Sequence, residues 1–221
     1  MPAVLRQRIW DLPTRVFHWA TVGLFGFSWW SADSGHMDWH RLSGYMLIAL
    51  LLARLYWGFA GSSTARFAGF LRGPAAFAAY ARTLTQQPGP ISVGHNPMGG
   101  WSVIALLLLL FVQVLSGLFA VDTDGLESGP LASLVSFGTG RDFAGVHGLN
   151  FNLLLTLVAL HVGVVLFYLL YKRQNLIAPM LTGDKTLPST SPAPVLASTI
   201  KAAIAFAVGL AIAAMIANGF G

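Results

Sequence analysis

Five long apolar runs dominate this chain, at roughly residues 17–32, 40–60, 101–121, 146–171 and 195–217. Each is close to the ~20 residues that a helix needs to cross the hydrocarbon core of a bilayer. The first run is short by that rule, and its helix is expected to begin earlier. Lipid cannot satisfy free backbone N–H and C=O groups, so helices are the expected form of the spans. The runs are too long and too uniformly apolar for the strands of a barrel. A chain that is 55% hydrophobic and 10% charged, with mean hydropathy +0.67, lies outside the range of ordinary soluble domains. The expected fold is all-α, an integral membrane bundle.

The charges sort by side along an alternating path. Arg6, Arg8 and Arg15 precede the first run. Arg66, Arg72 and Arg82 follow the second, with Arg54 near that end of it, and Lys172, Arg173 and Lys185 follow the fourth. All of these fall on one side. The other side carries Asp33, Asp38, Asp122, Asp124, Glu127 and Asp142 together with Arg41 and Arg141. Loops rich in Lys and Arg stay in the cytoplasm. A bacterial inner-membrane protein with a cytoplasmic N-terminus is therefore expected, and five spans put the C-terminus in the periplasm. The pI near 10.0 then reflects topology and attraction to anionic lipid, and nucleic acid is not an expected partner.

No cleavable leader is expected in "MPAVLRQRIWDLPTRVFHW", which lacks an early apolar core followed by small residues. Pro/Gly-rich linkers precede the third and fifth runs. The acidic loop between the third and fourth is expected to hold a short surface helix near residues 130–137. Small residues in the last run suit close helix packing and leave homo-oligomers open. The absence of cysteine removes disulfides, iron–sulfur clusters, thiolate metal sites and covalent c-type haem.

The chemistry lies in the histidines. His147 and His161 are fourteen residues apart in one run, so they share a helix face and sit about 21 Å apart along it. Topology puts His18 near the inner surface and His40 near the outer. His147 is also outer and His161 inner. Two pairs result, His18 with His161 and His40 with His147, each joining two helices at one depth. Two imidazoles approaching from opposite faces are what a b-type haem requires. Zinc prefers four ligands converging on one point. Two haem b groups stacked across the membrane are the expectation, with these four histidines as the iron ligands.

Supporting residues admit two readings each. Arg54 follows His40 by fourteen residues and can pair with an inner haem propionate or snorkel to the inner headgroups. Arg41 and Arg141 are candidates for the outer haem. Gly44 and Gly148 lie beside His40 and His147, where a missing Cβ admits a macrocycle or simply close helix packing. His36 and His95 have no partner at matching depth and are expected near the surface.

The ordered motifs "WDLPTRVFHW" (10–19), "RLYWGFAG" (54–61), "GHNPMGG" (94–100), the His147/His161 pair and "YKRQNLIAPMLTGDK" (171–185) together resemble the bacterial cytochrome b561 family. That family includes the di-haem membrane subunits of nickel–iron hydrogenases and formate dehydrogenases. The resemblance covers about residues 8–186. It implies a four-helix core with two haems b, the inner on His18 and His161, the outer on His40 and His147. It also implies exchange with a quinone, ubiquinone or menaquinone, and a redox partner on the periplasmic side: a dehydrogenase, a hydrogenase or a soluble cytochrome. Residues 1–186 are accordingly read as the di-haem domain, and residues 187–221 as a linker and an additional span that departs from the family core. The chain has no nucleotide motif or cluster ligands through which electrons could enter alone.

A quinone site needs an apolar slot and a polar group for a carbonyl. His95 and Asn96 are inner candidates, against a plain Asn-Pro turn. His36, Asp38 and Trp39, or Gln113, are the others. Transmembrane electron transfer between quinone and a periplasmic partner is the leading function. Superoxide:quinone oxidoreductase activity, known for some family members, is an alternative that the acidic outer loops disfavour by repulsion. A metal or proton transporter using the histidines belongs to another class, and the spans lack the acids and paired broken helices that such sites commonly use.

Overall fold

The computed structural model describes residues 3–87 and 89–219. Among them are eight α-helices, namely α1 (Leu12–Asp33), α2 (Met37–Ala60), α3 (Phe67–Phe70), α4 (Pro74–Ala81), α5 (Pro97–Phe119), α6 (Phe137–Leu170), α7 (Ile177–Thr182) and α8 (Thr199–Ala217). One two-stranded ribbon joins β1 (Val4–Arg8) to β2 (Asp184–Pro188). The all-α membrane architecture stands. Four helices, α2, α5, α6 and α8, are long and apolar enough to cross a membrane. Helix α1 is 22 residues long, starting earlier than its apolar run as expected, but it is not among those four. The expected surface helix of the acidic loop is a single 3₁₀ turn at Ala132–Leu134.

The chain forms two compact units. The first comprises residues 1–16, 55–105 and 158–202, the second residues 17–54, 106–157 and 203–221.

In the first unit, the "WDLPTR" stretch builds a helix start. Asp11 Oδ1 accepts the Thr14 backbone N–H at 2.8 Å, satisfying one of the free donors of the first turn. Pro13 stands there at no cost, because its missing N–H has no helical partner in the first turn. The other carboxylate oxygen accepts Trp57 Nε1–H at 2.9 Å, so a 4% exposed acid has both oxygens occupied. Ile9, Trp10 and Leu187 form a small core with Val93 and Met180 packed on it. Gly183 ends α7 at φ +90°, a conformation that a side chain would strain. Its carbonyl accepts the N–H groups of both Ile9 and Trp10. Helix α5 starts in the same manner as α1. Asn96 Oδ1 accepts the Gly99 N–H at 2.7 Å, with Pro97 at the first helical position.

In the second unit, α1 stops in a Schellman turn. The N–H of His36 bonds to Ser31 O, and that of Gly35, at φ +73°, bonds to Ala32 O. The reversal brings α2 back beside α1. Asn150, 4% exposed, ties α6 to α5 by donating to Leu109 O and Gln113 Oε1 at 2.9 and 2.7 Å. Gly209 of α8 lies so close to α2 that a Cβ there would sit 2.7 Å from Ala49 O.

Candidate functional site

The second unit contains a cavity of about 280 Å³. Its lining includes Phe25, Trp29 and Phe151, the polar residues Arg41 and Gln113, and two histidines, His40 and His147. The ring centroids of these histidines are 6.0 Å apart, with planes at 79°. Each ring is held from behind in the same way. His40 Nδ1 lies 2.9 Å from Ser28 O on α1. His147 Nδ1 lies 2.9 Å from Gln113 O on α5. A carbonyl oxygen only accepts, so both Nδ1 atoms carry the proton. In the neutral ring Nε2 is then a bare lone pair, the form in which imidazole binds a metal.

Glycines open the space around the two rings. A Cβ on Gly44 or Gly148 would meet no atom within 4 Å, although both residues line the cavity. At Gly117 the situation is the reverse, since a Cβ there would stand 3.0 Å from His147 Cε1. A side chain at Gly117 would force the ring to give by a few tenths of an ångström.

Arg41 also lines the cavity and is paired with Asp38 at 2.6 Å and with Glu127 at 2.5 Å. Arg141 donates to Val121 O at 3.0 Å. Arg54 is 4% exposed, with its guanidinium carbon 5.9 Å from the centre of the Phe17 ring. It is enclosed by protein. His18 is half-buried with its ring edge-on to Trp19. His36 is exposed and packs against Trp30.

His161, in the first unit, is half-buried on α6. His95 is not the surface residue that its loop position implied. It is half-buried, with its ring 4.7 Å from Trp10 and 4.8 Å from Phe70. Asn96 spends its Oδ1 on the α5 cap, and its Nδ2 donates to the Tyr168 hydroxyl at 3.2 Å. Tyr168 in turn shares a hydrogen bond of 3.0 Å with Tyr80. Burial, reinforced by that bond, pushes the Tyr80 phenol well above its ordinary value.

A family model described as prokaryotic cytochrome b561 matches residues 9–183. The chain belongs to that family. Among curated proteins, a probable Ni/Fe-hydrogenase B-type cytochrome subunit of Azotobacter chroococcum mcd 1 is 24% identical over 220 residues, covering 83% of this chain and 90% of that protein. No solved structure matches the chain significantly. Membership in the cytochrome b561 family makes this a multi-pass membrane protein that transfers electrons, with haem b as its prosthetic group.

The His40/His147 pair fits such a group. A metal–imidazole bond of about 2 Å on each side places two ring centroids about 6 Å apart across one ion, which is the separation observed. The protonated Nδ1 atoms, the bare Nε2 atoms and the open space at Gly44 and Gly148 point the same way. Among the described residues, no group of three or more His, Cys, Asp or Glu could hold a metal ion. Ser28, Ser31 and Ser116 around the rings escaped the sequence reading. A serine in an apolar helix is ordinary, and only a tertiary contact marks it.

Proposed function

We propose that the chain carries two b-type haems and moves electrons across the membrane between quinone and a redox enzyme on the periplasmic side. His40 and His147 hold the outer haem. The reading rests above all on those two rings, 6.0 Å apart with both Nδ1 protons committed to carbonyls. His18 and His161 hold the inner haem. Their assignment is supported by the fourteen-residue spacing of His147 and His161 on the single helix α6. Bound haem supplies one-electron exchange at its iron. The protein's part is to hold the imidazoles as neutral ligands, to exclude water from an apolar cavity and to offer cations to the propionates.

Arg54, a cation enclosed in protein, is the assigned partner of an inner propionate. Arg41 and Arg141 serve the outer haem. Arg41 would take a propionate by releasing Asp38 or Glu127, so it is a shared rather than a dedicated cation. His95 and Asn96 mark the inner quinone side. The hydroxyls of Tyr168 and Tyr80 continue from Asn96 as a polar chain there. The concentration of Lys and Arg in the first unit supports a cytoplasmic N-terminus, and the hydrogenase-type relative supports a redox enzyme as partner.

The test is haem stoichiometry by pyridine haemochrome on the purified chain and on four single His→Ala variants. Two haems per chain are expected. H40A and H147A should lose the same one, and H18A and H161A the other. A colourless protein made with ample haem overturns electron transfer, and a single haem overturns one of the two pairs.

A further inference from the structure

The hydrogen bonds behind the two outer rings include more than the carbonyls. His40 Nδ1 lies 3.1 Å from the Ser28 hydroxyl as well as 2.9 Å from the Ser28 carbonyl. His147 Nδ1 lies 3.3 Å from the Ser116 hydroxyl as well as 2.9 Å from the Gln113 carbonyl. Each N–H therefore faces two oxygens, one carbonyl and one serine. A third serine acts at one remove, since Ser31 donates its hydroxyl to the same Ser28 carbonyl at 3.0 Å. Ser31 and Ser116 are 0% and 3% exposed, so water does not dilute either contact.

The physical consequences have opposite signs. An oxygen that accepts from Nδ1–H makes the imidazole a stronger electron donor through Nε2, and a stronger donor favours the oxidised metal. The Ser28 hydroxyl does this for His40. The Ser116 hydroxyl does it for His147, its own proton being directed to Val112 O at 2.7 Å, closer than Gln113 O at 3.1 Å. Ser31 does the reverse. Its donated proton draws on the carbonyl that His40 leans on and weakens that bond.

We infer that Ser28, Ser31 and Ser116 are positioning residues that set the reduction potential of the group held by His40 and His147, with Ser28 and Ser116 lowering it and Ser31 raising it. The inference rests on the haem assignment above. A buried helical serine often bonds a carbonyl three or four residues back simply to satisfy itself. That ordinary role predicts no signed effect on a potential.

The experiment is a spectroelectrochemical titration of the purified holoprotein and its variants, with haem content measured alongside. S28A and S116A should shift one haem to a more positive midpoint, and S31A should shift the same haem to a more negative one. S28T and S31T, which keep the hydroxyl, should stay near the wild type. The inference is overturned if S28A and S31A move the potential in the same direction or leave it unmoved. It is equally overturned if either variant loses the haem, since the hydroxyl then serves assembly. Wild-type protein without haem, or an H40A variant with its full complement, would instead defeat the haem assignment itself.

Discussion

The two compact units spend their polar groups differently. The first holds ten of the thirteen Lys and Arg and two of the eight acids, whereas the second holds three and six. In the first unit, polar side chains secure backbone at helix ends and loops. Asp11 and Asn96 cap helices, Lys172 donates to the carbonyls of Thr83 and Gln86, and Lys185 donates to Ser92 O. Burial holds the Lys185 ammonium below its usual range. In the second unit, the central polar contacts converge on two imidazoles instead. A segment can thus be folded by its polar groups or equipped by them, and substitutions should separate the two uses.

The largest effect is expected where the second unit has no room. Gly117→Val would drive side-chain carbons against His147 and should lower the haem-to-protein ratio of the purified chain. Asp11→Ala, in the first unit, removes a cap and strands the buried Trp57 N–H. It should cost about 2–4 kcal/mol, seen as a lower thermal midpoint with haem content unchanged at low temperature. If it removed a haem as well, the division between folding and equipping would fail. Asn96→Ala should cost about 1 kcal/mol through the same kind of cap, measured by the same melt.

The smallest effect belongs to Asp184 on the exposed ribbon. Its hydrogen bond from Arg8, with Arg6 nearby, holds the carboxyl below the ordinary carboxylate value. The folded value is depressed, so its contribution is complete above the unfolded value and is lost as pH falls through the folded one. Asp184→Asn should differ only slightly from wild type near neutrality, and the difference should vanish in acid. A difference that grew on acidification would contradict the assignment.

Much of this was legible in the sequence. Bilayer-length runs announced the long helices, and the fourteen-residue spacing of His147 and His161 placed both on one helix, α6. Other features were hidden for physical reasons. The start of α6 at Phe137 lies nine residues before the apolar run because Gly138, Gly140, Arg141, Asp142 and Gly145 mask helical character, which packing overrides. The β ribbon pairs residues at opposite ends of a long stretch of chain, and no local pattern encodes such a pairing. Helix α1 carries Ser28 and Ser31. Two of the polar residues that dilute its hydropathy, alongside Arg15, His18 and Asp33, are those that serve His40.

The β1–β2 ribbon also has a consequence in time. Arg8 and Asp184 are separated by 176 positions. At roughly 5–20 residues per second, the first strand waits on the order of 9 to 35 seconds for its mate to leave the ribosome. Helices α1 to α7 are all synthesised in that interval. Closing the ribbon is therefore a late event of biogenesis. Until then residues 4–8 are an unpaired strand edge in a nascent chain, open to whatever factors attend its insertion.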